Sequence, residues 1–248
     1  MGHFVPHTDA EVASMLAFLG LDSVGDLFAS VPVGLRLAGG LDVPPGLSEP
    51  DVVAEMGRLA GANAVAPDLV CFAGAGVYDH EVPAAVRSLA FRSEFVTAYT
   101  PYQPEVAQGV LQLLFEYQTM VARLAGLEVA NASLYDGASA LVEGVNLATG
   151  ATGRPGAWMS RGVHPSWRRV AATFAAGTGH RIEDVPLDEG VTAWPAEPGA
   201  DAPGAIVVQQ PNHLGCLEDL AAARAAADQA GALLVVAFDP VAAALVRR

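Results

Sequence analysis

Apolar positions recur along the chain in two different rhythms. Early on they come at helical spacing, in short bursts. Thr8 with Glu11 makes a capping-box pair ahead of Val12, Met15, Leu16 and Leu19, and Gly20 ends the run. Ser23 with Asp26 repeats the device for a short helical turn. Ser48 with Asp51 does so again before Val52, Val53, Met56, Leu59 and Ala60. Links such as Pro44-Pro45-Gly46 separate these pieces. Helices this small cannot bury their apolar faces alone, so residues 1–75 are expected to form a helical N-terminal arm.

The middle of the chain predicts longer elements. Tyr99-Thr100-Pro101-Tyr102-Gln103-Pro104 reads as a stiff, irregular turn, because each proline fixes its own φ and biases the residue before it. From Pro104 a long buried helix is expected, carrying Val106, Val110, Leu114, Tyr117, Val121 and Leu124 on one face and stopped by Gly126. Asp136 is placed to cap another helix with Leu141, Val142 and Val145, ending at Gly150. Phe72-Ala73-Gly74-Ala75-Gly76 is glycine-rich but lacks the dinucleotide-binding fingerprint, and structural tightness explains it better.

After Arg154-Pro155 the rhythm changes. Ala157–Ser160, Arg181–Val185, Ala205–Gln209 and Ala232–Phe238 read as strands. Pro165–Ala176 and Glu218–Ala230 read as helices between them. Such alternation predicts an α/β domain over 76–248, with a mostly parallel sheet flanked by helices.

Charge narrows the function. There are 27 acidic against 13 basic side chains, for a net charge of −14. That argues against nucleic acid and against anionic membrane surfaces as partners. All the basic residues apart from histidine are arginine, and the chain has no lysine. Cys71 and Cys216 follow no metal-ligand spacing, no metal site is expected, and a reducing cytoplasm is the simplest compartment. The N-terminus lacks the basic and apolar regions of a signal peptide.

Polar residues of unusual kind cluster just past the strands. Ser160 leads to His164, Gln209 leads to Asn212 and His213, and Asp239 follows the last strand. Open parallel sheets bind ligands at this edge, and these side chains suit a cationic or pyridine-like ligand. Loops at strand ends are polar in any case, so spacing leaves both readings open.

Longer strings carry a resemblance. PHTDAEVASML (6–16), CFAGAGVYDHEVP (71–83), RSEFVTAYTPYQPEVAQG (92–109), FEYQTM (115–120), VANASLYDGASAL (129–141), VHPSWRRV (163–170), QQPNHLGCLED (209–219) and VVAFDPV (235–241) resemble the glycine cleavage system P-protein family, specifically the first subunit of its two-subunit form. Ala107 stands where that family usually has serine, and Ala73 where it has leucine.

The resemblance implies the aspartate-aminotransferase fold group of pyridoxal phosphate (PLP) enzymes. It implies a complex that decarboxylates glycine and passes the aminomethyl group to the lipoyl arm of the H-protein. It also implies that PLP is held by a second subunit carrying the cofactor lysine, since this chain has none. Ser133, Asp136, His164, Asn212, His213 and Asp239 would then be a degenerate cofactor pocket. Thr97, Tyr99, Tyr102, Gln103 and Glu105 would line the partner's active site. A first subunit of this kind is longer than this chain, so a truncated or split form is expected, incomplete on its C-terminal side. A non-catalytic scaffold subunit, or an inactive fragment of the same fold, is the alternative.

Overall fold

A computed structural model of the 248-residue chain describes residues 6–37, 39, 41–64, 69–70, 72, 74, 76, 78–96 and 100–246. The chain divides into two compact units, Met1–Leu69 and Val70–Arg248.

The first unit holds helix α1 (Asp9–Leu19), two 3-10 turns (Val24–Phe28 and Val33–Leu35) and helix α2 (Glu49–Gly61). The sequence devices that start these elements are all present. The Glu11 carboxylate accepts the Thr8 N–H at 2.7 Å, while the Glu11 N–H donates to Thr8 Oγ1. Asp26 accepts from the Ser23 N–H, and Ser48 accepts from the Asp51 N–H. No described residue of this unit is buried.

The second unit begins with helix α3 (Ala84–Ala90) and helix α4 (Gln108–Ala125). Helix α4 corrects two expectations. It starts at Gln108, because the Gln103 carbonyl accepts the N–H groups of both Val106 and Ala107 and closes Pro104–Val106 into a turn. It is also largely unburied: only Ala122 is buried, Val110, Leu114 and Val121 are half-covered, and Val106, Leu124 and, on the other side, Phe115 lie open.

Helix α5 (Gly137–Thr152) is capped by Asp136, whose carboxylate accepts the Ser139 N–H at 2.7 Å. It runs past Gly150 to Thr152, with Gly153 closing it in the left-handed conformation. The α/β alternation then follows: β1 (Gly156–Ser160), α6 (Pro165–Thr178), β2 (Arg181–Val185), the short β3 (Leu187–Asp188) and β4 (Val191–Thr192), β5 (Ala205–Gln210), α7 (Leu220–Ala230), β6 (Leu233–Phe238) and α8 (Pro240–Leu245). Helix α7 begins after Asp219, which caps it through the Ala222 N–H, so Glu218 lies outside the helix assigned to it from sequence.

The sheet order is β2-β1-β5-β6, and every pairing is parallel. Helices α5 and α6 cover one face. There Leu141, Val142, Val145 and Ala171 pack on Ala157, Met159, Ala205 and Val207. Helix α7 covers the other, with Ala226, Ala227 and Ala230 against Trp158 and Ile206. Small alanines let α7 lie close to the strands. Met159, Ile206, Val163, Val207 and Val208 are the largest fully buried side chains of this core. Each contributes on the order of 1.5–3 kcal/mol. The β3–β4 hairpin was not foreseen; it turns at Glu189-Gly190, both with positive φ, which suits a two-residue hairpin loop.

Candidate functional site

Because β1, β5 and β6 are parallel neighbours, Ser160, Gln210 and Phe238 end at the same edge of the sheet. A cavity of about 200 Å³ opens there, lined by Tyr78, His80, His164, Trp167, Gln209 and Asp239 among others. His164 is the N-cap of α6. Its backbone N–H donates to Gln209 Oε1 at 2.8 Å, and its Nδ1 accepts from the Ser166 N–H at 3.1 Å. With Nδ1 accepting, the neutral ring carries its proton on Nε2. The ring meets His213 edge-on at 4.9 Å between centroids and lies tilted against Trp167 at 5.7 Å. Asp239 caps α8 through the Val241 N–H.

Beneath the cavity lies a buried polar network. The Glu218 carboxylate, 6% exposed, accepts from the Thr192 N–H through Oε2 and from Asn212 Nδ2 through Oε1, each at 2.8 Å. Asn212 Oδ1 accepts from the N–H groups of Leu214 and Cys216. Ser160 Oγ accepts the Gly162 N–H and shares a 2.5 Å hydrogen bond with the Thr192 hydroxyl. The network joins the loops after β1 and β5 to the β3–β4 hairpin, and so fixes where His164 and His213 stand.

The structure therefore brings His164, His213 and Asp239 together and gives Asn212 a different place, fully buried in the network. Ser133 and Asp136 belong to the entry of α5. Ser133 has φ of 102° and shares a 2.8 Å hydrogen bond with Tyr117. Of the five turn residues, Thr97 and Tyr99 lie outside the described residues. Tyr102 and Gln103 line a broad surface hollow of about 610 Å³ together with Phe95 and Val106, while Glu105 is exposed in the turn. Sequence reasoning missed Tyr78, His80, Trp167, Thr192 and Glu218. A histidine and tyrosine beside the glycine-rich stretch were a usable signal. Nothing in the sequence marks an inward-facing glutamate.

The glycine cleavage system P-protein model matches residues 2–248. The chain belongs to that P-protein family. Proteins named probable glycine dehydrogenase (decarboxylating) subunit 1 from Desulforamulus reducens and Geobacillus kaustophilus are 44% and 45% identical to it, over 98% and 96% of this chain. The chain spans 55% and 54% of their respective lengths, about half. A crystal structure of glycine decarboxylase (P-protein) in inhibitor-bound form is 50% identical. It superposes with a TM-score of 0.82 over 97% of this chain and 54% of its own. A sphingosine-1-phosphate lyase from Burkholderia pseudomallei, 15% identical with a TM-score of 0.56 over 83% of this chain and 51% of its own, shares the fold alone. The fold is the α/β architecture of the PLP-dependent transferases.

The 248 residues of this P-protein chain include no lysine, the side chain that would hold PLP covalently. The first turn of α5 already has an acceptor of its own. Asp136 supplies its own carboxylate to the first turn of α5, and a Cβ added at Gly137 would come 2.5 Å from Cζ2 of Trp167. Near the mouth, a Cβ on Gly76 would lie 3.1 Å from Cδ2 of His164, so that segment closes on the imidazole. Among the described residues no group of three or more His, Cys, Asp or Glu side chains could hold a metal ion. No described helix is long and apolar enough to cross a membrane.

Proposed function

We propose that this chain is one subunit of the glycine dehydrogenase (decarboxylating) of the glycine cleavage system. A second P-protein subunit carries the lysine and the PLP. Bound there, PLP supplies the electron sink for decarboxylation, and the complex passes the aminomethyl group to the lipoyl arm of the H-protein. The observation that carries this reading is the family match over residues 2–248, with 44–45% identity to proteins named subunit 1. The Trp167 ring against Gly137 and the Asp136 cap on the first turn of α5 support a partner as the holder of the cofactor.

The turn before α4 is what this chain offers that partner. Tyr102 is 85% exposed, and it stands with Gln103 and Glu105 ahead of a helix whose apolar face is only half-covered. Together with Thr97 and Tyr99 these side chains line the partner's active site. The Tyr102 hydroxyl and the Gln103 amide donate hydrogen bonds to an anionic group there, and the prolines hold them in place.

The experiment is glycine–bicarbonate exchange by the assembled complex, with assembly followed by sizing. Tyr102→Phe removes one hydroxyl and leaves assembly intact. Loss of a hydrogen bond to a charged group costs about 1.5–3 kcal/mol, a rate loss of roughly ten- to a hundredfold if it acts in the transition state. Wild-type exchange from fully assembled Tyr102→Phe and Tyr99→Phe complexes would favour the second reading, a scaffold subunit whose turn is plain interface packing.

A further inference from the structure

The imidazole of His164 has two competing uses. Its Nδ1 takes the Ser166 N–H at 3.1 Å and so caps the first turn of α6. Only a neutral ring can do this, because a protonated one carries hydrogen on both nitrogens. A charged ring at that place would also meet the positive end of a 14-residue helix. Asp239 lines the same cavity as His164. Its Oδ1 takes the Val241 N–H, which leaves the other oxygen for a second donor. A nearby carboxylate favours the charged form of an imidazole, whereas the helix end favours the neutral one.

The other groups around the ring do not offer this choice. His213 meets it edge-on, but the His213 Nδ1 is buried with no hydrogen-bond partner among the described residues, so a proton added there would go unpaired. Tyr78 and His80 reach the cavity from an exposed segment ahead of α3, and Gln209 is uncharged. Arg161 and Arg168 are turned to Asp184, and Arg169 donates to Ser166 Oγ beside the cap. On the side of α5, Asp136 is committed to the Ser139 N–H. Asp239 is thus the one carboxylate among the described residues that line the cavity.

We infer that His164 is a proton-operated toggle: neutral, it caps α6 and supports the mouth of the cavity; charged, it leaves the cap and turns to the Asp239 carboxylate. Gly76 ties the mouth to the ring, since a Cβ there would come 3.1 Å from His164 Cδ2. Trp167 lies tilted against the ring at 5.7 Å and registers the same turn. The turn takes an acceptor from the first turn of α6, takes support from the segment at Gly76, and fills part of the cavity of about 200 Å³ with an ion pair. The cavity is open or occupied according to the charge on one side chain. This device is independent of the catalytic reading above.

The test is an acid titration of the full 248-residue chain, read by tryptophan emission and by the NMR resonance of the Ser166 amide. Both should step together between about pH 5 and 8, the range in which imidazoles exchange their proton. His164→Asn supplies a cap acceptor that stays neutral throughout, and both steps should vanish. Asp239→Asn keeps an acceptor for the Val241 N–H and removes the charge. The charged ring then has no carboxylate to turn to, and the midpoint should fall by about one pH unit or more. Should His164→Asn fail to fold, the Asp239→Asn shift decides alone. A Ser166 amide that does not step in the wild-type chain would overturn the proposal. So would steps that survive His164→Asn, which would belong to another histidine, or a midpoint that Asp239→Asn leaves unmoved.

Discussion

The carboxylate of Glu218 occupies the space in which a side chain on Gly162 would stand. A Cβ built on Gly162 would lie 2.8 Å from Oε1, and 3.0 Å from both Asn212 Cβ and Ser160 Oγ. Glycine at 162 and glutamate at 218 are thus one device, which locks the loop after β1 against the loop after β5.

Breaking the device from either side destabilises the fold. Gly162→Ala overpacks the junction and should cost about 1–3 kcal/mol. Glu218→Ala leaves the Thr192 N–H and one of the two Asn212 amide N–H groups buried without an acceptor, the other still bonded to the Gly190 carbonyl, and should cost about 3 kcal/mol. Glu218→Gln keeps one acceptor oxygen and should lose less. Urea denaturation of the three variants, followed by circular dichroism, gives the order. Equal stability of Glu218→Ala and wild type would mean that the carboxylate holds nothing.

Helix α4 begins at a weak cap. Its N-cap, Ala107, has no side-chain oxygen to offer the first turn. Ala107→Ser should therefore stabilise the protein by about 0.5–2 kcal/mol. A thermal melt reads this directly, and no gain would show that the backbone at 107, with φ −101° and ψ 19°, does not turn a side-chain oxygen toward the first-turn N–H groups.

Asp136 gives an acid-side pH dependence. The Ser139 N–H, first through its backbone bond, holds this carboxyl below its ordinary value near 3.8. Its contribution is therefore fully present above that value and disappears as pH falls through the lower folded one. Asp136→Asn keeps an acceptor at the cap, so it should leave the melting temperature at pH 7 little changed and flatten the decline on the acid side of 3.8. An unchanged acid decline would assign that decline to other carboxylates, such as Glu11, which is lowered in the same way by the Thr8 N–H.

PLP and borohydride should leave this chain without a side-chain adduct. With no lysine present, mass spectrometry should find label only at the α-amino terminus. A reduced adduct on any other residue would contradict the assignment of the cofactor to a partner subunit.

Strands β1, β5 and β6 were legible because each is a short, largely apolar run; the charged β2 was legible from its place in the alternation of helices and strands. Arg181–Val185 was placed to the residue, and Ala205–Gln210 to within one. The caps at Thr8, Ser48 and Asp136 were legible because capping needs a particular side chain at a particular offset. Burial of α4 was not, since its stripe reports apolar positions and not what covers them. Of the candidate site, His164, His213 and Asp239 came from topology, as residues just past parallel strands. Trp167 and Glu218 escaped because each acts by pointing inward across the fold, at Gly137 and at Thr192, and no local spacing records such a direction.

The indole against Gly137 also bears on what positions 137 and 167 tolerate. A Cβ at 137 would come 2.5 Å from Cζ2 and 2.7 Å from Cη2 of Trp167, so any larger residue there has to move a ring that also lies tilted against His164. The two positions are therefore coupled: a side chain at 137 requires a smaller one at 167, and the displacement is passed to the imidazole.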